Sequence, residues 1–546
     1  MDEFFALKQG TSKIIASCIR NNVGILVILL LAALVRIAQY GIIPLWWDSA
    51  VYAEMGRHIF SLGQIGIWED VRPLFMPILL GFFWRIGLNE LLVGQIIMTL
   101  FSLGTILVCY LLADRLFGRA IALLASIMLA FTPTFVFFDS QLLSDLPSLF
   151  FALLGTYFFT VSDFKNLGQD IATSFSKALH KRLALAGFFF GLAFLTRFVY
   201  LGFFLTGFVA LLLPQSVALF SRASYTGGKH TEKKNSGQLV DRSLIYYILA
   251  FALPVLPYIM SNYFLYHDFL VPFKRQVFMA SYTGWIYWQP VWYYFWGIFH
   301  ESVISIFSLF GLFLFFRDIK IGFSAQLDSC LDGRLKDGRL KKEGLLSSRF
   351  FLAALLLIYF AYYSSISHKE LRFALTILPL IYIFSAFALH RLWLLFHGRP
   401  IANYFFIILA FIWVVQLLPN LRIQHPDKTE LEVANIFSAY MQKSRLSPDD
   451  SIWISSPLML LHLDLKADEL IYYPLFNSNK IDSLMARLPN ANLILVNQCD
   501  LACPPWDDKC PVRSGDFMSR IERDFDMHFL GNQAGCNLTA YSGKNQ

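Results

Sequence analysis

Charge is scarce in this chain. Only 15% of its 546 residues are Asp, Glu, Lys or Arg, while 56% are apolar and 17% aromatic, a balance that excludes an ordinary soluble globular protein. The first apolar run also lacks a small-residue cleavage site. Trp46-Trp47-Asp48 follows it instead, so a retained membrane span is expected. No internal repeat is visible, which counts against the runner-up reading, a polytopic secondary transporter built from inverted halves. Cysteines are few, seven in all, and their spacing fits no common zinc pattern. Basic residues do not gather on a compact soluble face, which argues against nucleic acid as a partner.

What is present is apolar length. Runs of roughly 17 to 25 residues recur from Val23 to Leu418, each able to cross a hydrocarbon core of about 30 Å. They predict an all-α, multi-pass membrane domain of about eleven spans over residues 1–419. Lys8, Lys13 and Arg20 precede the first span and hold the N-terminus in the cytosol by the positive-inside rule. Residues 183–213 have basic ends and read as a hairpin of two short helices with Arg197 at the outer turn. With that hairpin, the count places Asp48, Arg72, Asp139, Asp145 and the stretch His368-Lys369-Glu370-Leu371-Arg372 together on the extracytosolic side. The membrane is the cell membrane, or the endoplasmic reticulum in a eukaryote.

From Asn420 the composition changes. Twelve Lys plus Arg face sixteen Asp plus Glu there, so the net +7 of the chain comes from the loops before it. A helical stretch at 429–441, strands at 451–455 and 492–496, and helical pieces at 481–488 and 516–525 predict a small extracytosolic α/β domain over 420–546. Cys499, Cys503, Cys510 and Cys536 lie in it and are expected to form two disulfides in an oxidising compartment. Asn537-Leu538-Thr539 is a glycosylation sequon.

Polar residues beside membrane spans are costly, which makes a functional site the default reading of them. Trp47-Asp48-Ser49-Ala50-Val51-Tyr52-Ala53-Glu54 resembles the first-loop motif of the protein O-mannosyltransferase and lipid A aminoarabinose transferase group. Arg72-Pro73-Leu74 resembles that group's Lys-Pro-Pro element, and Leu143-Ser144-Asp145-Leu146-Pro147 its second-loop aspartate motif. His368-Lys369-Glu370-Leu371-Arg372-Phe373 matches the H-K-E-x-R-F signature of the dolichyl-phosphate-mannose-dependent mannosyltransferases at every fixed position. The whole is similar to the polytopic C-type (GT-C) glycosyltransferases, with a first half like one branch and a late motif like another.

The resemblance implies transfer of a sugar, mannose by the late motif, from a polyprenyl or dolichyl phosphate to a lipid-linked glycan or protein acceptor, with inversion. Such chemistry needs a carboxylate to accept the acceptor's proton and cations to stabilise the leaving phosphate. Asp48 is the candidate base, its alternative being a helix N-cap ahead of Ser49. Arg72, His368, Lys369 and Arg372 are the phosphate candidates. Arg197 either joins them or pairs structurally with Asp139 or Asp145. Asp139, Asp145 and Glu370 either bind a divalent cation, the one cofactor contemplated, or orient the basic residues. Glu54 reads as a solvated or orienting residue. The aromatic loop His267–Trp288 reads as an interfacial belt or a stacking surface for sugar or lipid.

Overall fold

A computed structural model of the chain describes residues 22–40, 45–162, 173–223, 234–283, 288–318, 338–418, 429–444, 447, 450–463, 465–471, 478–501, 503 and 507–544. The apolar runs fold as helices because a segment leaving water must satisfy its backbone groups internally. α1 (Asn22–Ile37) leads to α2 (Trp47–Phe60), α3 (Phe75–Arg85), α4 (Glu90–Phe117), α5 (Arg119–Phe131), α6 (Pro133–Asp139) and α7 (Asp145–Val161). Local chemistry sets their bounds. The Asn89 side chain accepts from the N–H groups of Leu91 and Leu92 to start α4, and the chain turns at Gly118 into α5, the hairpin expected around Asp114-Arg115. Pro133 cannot continue the α5 ladder, so α5 and α6 meet at 61°.

α8 (Thr173–Thr196) and α9 (Leu201–Ala223) are the two halves of the expected hairpin, parted at Arg197 by extended backbone. α10 (Lys234–Tyr266), α11 (Val271–Thr283), α12 (Tyr293–Glu301), α13 (307–318), α14 (Gly338–Ser365), α15 (Leu378–Phe396) and α16 (Pro400–Leu417) complete the helical part. Among the described residues five helices are long and apolar enough to cross a membrane, or six if α5 and α6 form one span, beside five shorter apolar helices. Part of the distance from eleven uniform spans lies in breaks that composition hides. The run 291–316, for example, is interrupted by extended Ser302 and a 3-10 turn at Val303–Ile306. The Glu301 carboxylate at that break accepts from the N–H and hydroxyl of Thr134, so it caps α6 at the other break.

Helices α2 and α3 touch backbone to backbone. A Cβ on Gly56 would lie 2.7 Å from the Gly81 nitrogen, and one on Gly81 2.4 Å from the Gly56 oxygen, so only glycine permits this approach.

Beyond residues 419–428, where the expected domain boundary falls outside the described residues, a sheet forms. It comprises α17 (Thr429–Lys443), β1 (Ile452–Ile454), α18 (Pro457–Leu460), β2 (Glu469–Leu470), α19 (Ser478–Arg487), β3 (Leu493–Asn497), α20 (Cys510–Asp524), β4 (Phe525–Gln533) and β5 (Cys536–Gly543). The strand order is β2-β1-β3-β5-β4, parallel among the first three and antiparallel across the last three. The expected strands and helices are found, and the β4–β5 hairpin adds two strands to them. The cysteines pair as Cys499–Cys536 and Cys503–Cys510, two disulfides as expected.

Strand alternation gives the sheet two buried faces. Trp453, Ile494, Val496 and Tyr541 pack with Ile481, Leu484, Phe517 and Ile521 of α19 and α20. Ile452, Ile454, Leu493 and Leu495 pack with Val433 and Phe437 of α17, and also with Ile67 from the first loop of the helical part. In return Leu461, just past α18, is buried in the core of the helical part. The Gly66 N–H donates to the Leu465 carbonyl at 2.9 Å and the Ala467 N–H to the Gly66 carbonyl at 3.1 Å. The two parts therefore interlock, each lending a side chain to the other's core.

Candidate active site

Asp48 lies inside the first turn of α2 rather than at its cap, which is Trp46, and the helix N-terminus favours a carboxylate there. Its two oxygens take two arginines. Arg72 Nη2 lies 2.8 Å from Oδ1 and Arg372 Nη1 2.6 Å from Oδ2. Arg72 comes from the same loop, but Arg372 stands 324 residues beyond Asp48, so the first loop and the late motif meet in one cluster.

The cluster extends from both arginines. Arg72 reaches Glu69 at 2.9 Å, and Arg372 reaches Glu370 Oε1 at 3.0 Å. His368 Nε2 lies 2.5 Å from that same Glu370 oxygen. Arg197 pairs with Asp145 at the head of α7, which settles its alternative partners in favour of Asp145. Aromatic faces order the cations: Arg372 lies 5.3 Å from the Trp46 ring and 5.4 Å from Phe373, Arg197 5.0 Å from Phe373, and Arg72 5.5 Å from Tyr52. The motif is shaped for this by its backbone. Glu370 is extended, a 3-10 turn runs over Leu371–Thr376, and His368 forms a main-chain bridge to Trp288 of the aromatic loop.

Electrostatics follow from the geometry. Burial alone would raise the Asp48 carboxyl, but Arg72 and then Arg372 outweigh it and hold it far below the usual carboxylate range. Burial likewise opposes ionisation of Glu370, and the His368 hydrogen bond and Arg372 overcome it, leaving Glu370 low. Arg372 loses to burial and gains more from Asp48, Glu370 and Asp145, so it is held more firmly charged than usual.

Two expected members stand differently. Lys369 is buried, its ammonium donating to the Ile366 carbonyl at 2.5 Å, and no carboxylate among the described residues pairs with it. Asp139 is not in the cluster. It pairs with Arg36 of α1 and accepts from the Ser102 hydroxyl, with both charged side chains 1% exposed. Arg36 is the lone charge of the first apolar run, so nothing in the sequence marks it as the partner of Asp139. Glu54, read as solvated or orienting, is fully buried and 3.0 Å from Arg57.

The carboxylates that could hold a divalent cation are drawn apart by these pairings. Asp139 goes to Arg36, Asp145 to Arg197, and Glu370 to His368 and Arg372. Among the described residues no three His, Cys, Asp or Glu side chains are arranged to hold a metal ion. Sequence reasoning missed Glu69 and Trp46 as site members. The i, i+3 spacing of Glu69 to Arg72 was a signal for the first; nothing in the spacing pointed to the second.

Comparison with solved structures gives the same architecture. ArnT from Cupriavidus metallidurans, bound to undecaprenyl phosphate, aligns over 95% of this chain and 98% of its own at a TM-score of 0.54 and 13% identity. The Archaeoglobus fulgidus oligosaccharyltransferase tethered to an acceptor peptide aligns over 97% and 75% at 0.53 and 12%. The archaeal oligosaccharyltransferase AglB from the same organism, in complex with an inhibitory peptide and a dolichol-phosphate, aligns over 95% and 74% at 0.53 and 13%. A comparison with curated protein sequences returns no match.

The chain shares with these structures a helical bundle with an appended sheet, and its class is the multi-pass C-type glycosyltransferases. Within that class the chain belongs to the Alg9-like mannosyltransferase family, whose model matches residues 59–451. The match takes in Arg72, Asp145, Arg197 and the whole late motif, and begins after Asp48.

Proposed function

We propose that the protein moves mannose from a polyprenyl or dolichyl phosphate to a lipid-linked glycan or protein acceptor at the extracytosolic face, inverting the anomeric centre. The observation that carries this reading is the single carboxylate, Asp48, shared by arginines of the first loop and the late motif. The family's mannosyltransferase description supports the sugar. The carriers bound in the ArnT and AglB structures support the donor class. The basic residues before the first span and the two disulfides support a cytosolic N-terminus and an extracytosolic C-terminal domain, which would help bind the acceptor.

The acceptor hydroxyl oxygen attacks the anomeric carbon, and the bond from that carbon to the phosphate oxygen breaks. The electron pair leaves on the phosphate, and the hydroxyl proton passes to Asp48. A β-linked donor thus yields an α-linked product. In the resting cluster Arg72, Arg372 and Arg197 are matched by carboxylates, whereas Lys369 pairs with none among the described residues and is offered to the incoming phosphate. A phosphate that draws Arg72 and Arg372 toward itself loosens the pull on Asp48 and makes it a better base as the donor arrives.

The test is transfer from labelled polyprenyl-phosphate mannose to a crude lipid-linked glycan by the full-length protein in lipid nanodiscs. An α-linked product that disappears in Asp48→Asn and His368→Ala is expected, with the rate unchanged in excess chelator. Transfer unaffected by both substitutions overturns the site. No transfer from any polyprenyl-linked sugar, with ion-coupled uptake in vesicles instead, overturns the function.

A further inference from the structure

The far end of the Asp48 helix carries a second charged cluster that the chemistry above does not use. Arg57, in the last turn of α2, lies 3.0 Å from Glu54 and 2.5 Å from Glu90, all three side chains being less than 10% exposed. The same guanidinium donates to the carbonyls of Leu460 at 3.2 Å and Leu461 at 3.3 Å, across 403 and 404 residues of sequence. Those carbonyls close α18, so one arginine joins the first loop, the start of α4 and the C-terminal domain. At the near end of α2, Trp47, next to Asp48, packs on the C-terminal core that also holds Ile67.

Helix α2 is therefore bracketed at both ends by the C-terminal domain, and on its side by the glycine contact with α3. We infer that Arg57 is a positioning residue: through α2 it fixes the depth and rotation of Asp48 against Arg72 and Arg372, so the C-terminal domain is a working part of the candidate active site. This rests on the function proposed above. The physical reason is rigidity. A buried guanidinium with two carboxylates and two carbonyls has one geometry that satisfies its donors, and a helix of 14 residues transmits a shift at one end to the other.

The test compares Arg57→Gln and Arg57→Lys with Ile521→Ala, which weakens the C-terminal domain from the opposite face of its sheet. All are made in the full-length protein in nanodiscs. For Arg57→Gln the expected result is a kcat loss of about 30-fold with donor KM within about twofold, since a 1 Å misplacement is able to cost roughly a hundredfold. Arg57→Lys recovers part of it. An acid limb also enters the pH–rate profile of Arg57→Gln, because an Asp48 loosened from its arginines regains an ordinary carboxylate range. Hydrogen exchange rises across residues 47–60 in Arg57→Gln, whereas in Ile521→Ala it rises only within the C-terminal domain.

Equal kcat loss in Arg57→Gln and Ile521→Ala at equal loss of thermal stability, with both pH profiles unmoved, overturns the inference and leaves Arg57 a structural residue. Retained transfer in Asp48→Asn instead sinks the functional reading beneath it, so the two failures are told apart.

Discussion

Two aspartate–arginine pairs in this molecule look alike on paper and differ in kind. Asp139 and Arg36 are sealed in the bundle, 1% exposed each, and the Ser102 hydroxyl bonds both. Asp48 shares its charge between Arg72 and Arg372 with side chains 13–21% exposed, at a rim lined by Trp46, Tyr52 and Phe373. The first pair has its geometry closed off from any ligand. The second holds opposite charges that an anionic ligand can redistribute. A buried ion pair is thus evidence of architecture when it is sealed from solvent, and of chemistry when it remains reachable.

The sharpest way to break that contrast is to neutralise each aspartate. Asp48→Asn is expected to lower kcat by about 10²- to 10⁴-fold, the range for loss of a general base, with a smaller loss of stability than at Asp139 because Arg72 keeps Glu69 and Arg372 keeps Glu370. Asp139→Asn is expected to do the reverse. It leaves Arg36 buried without its counter-charge, at a cost of about 3–5 kcal/mol in stability, while transfer per folded molecule stays close to that of the parent. Swapped outcomes, read by calorimetry and initial rates, would dissolve the distinction.

Lys369→Met comes next in size. Removing a charged donor to phosphate is worth about 1.5–3 kcal/mol, so donor KM rises roughly ten- to a hundredfold with a smaller change in kcat. An unchanged KM would show that the buried ammonium plays no part in binding. The subtlest effect is on pH. Asp48 is held below the usual range, so its active, ionised form is lost only as pH falls through that depressed value, and the parent shows no acid limb from it under ordinary conditions. Arg72→Gln removes the stronger of the two attractions, lets the carboxyl rise toward the usual carboxylate range and moves the acid limb of kcat/KM to higher pH.

Local features were legible in the sequence. Apolar length gave α4, α7 and α15; the basic ends of 183–213 gave the break at Arg197; and the cysteine count gave both disulfides. Hydropathy hid what depends on the partner. The breaks at Pro133 and Ser302 sit in continuous apolar runs, and the carboxylate linking them, Glu301, read as part of a span. β4, mostly exposed along its length, lacks the apolar signal of β1 and β3. In the site, the late motif announced itself by resemblance, but the pairing of Asp139 with Arg36, and the choice of Asp145 over Asp139 for Arg197, is a matter of packing that no spacing encodes.

The exchange of Ile67 for Leu461 between the two cores also has a history in time. A ribosome working at roughly 5–20 residues per second makes Leu460 about 20–80 s after Arg57, given the 403 positions between them. Through that interval the first loop stands in place without its cover, which arrives with residues 460–467. Newly inserted helices therefore wait for the C-terminal domain, and a message cut short before residue 460 leaves Arg57 without the Leu460 and Leu461 carbonyls, while the contact of α2 with α3 is already in place.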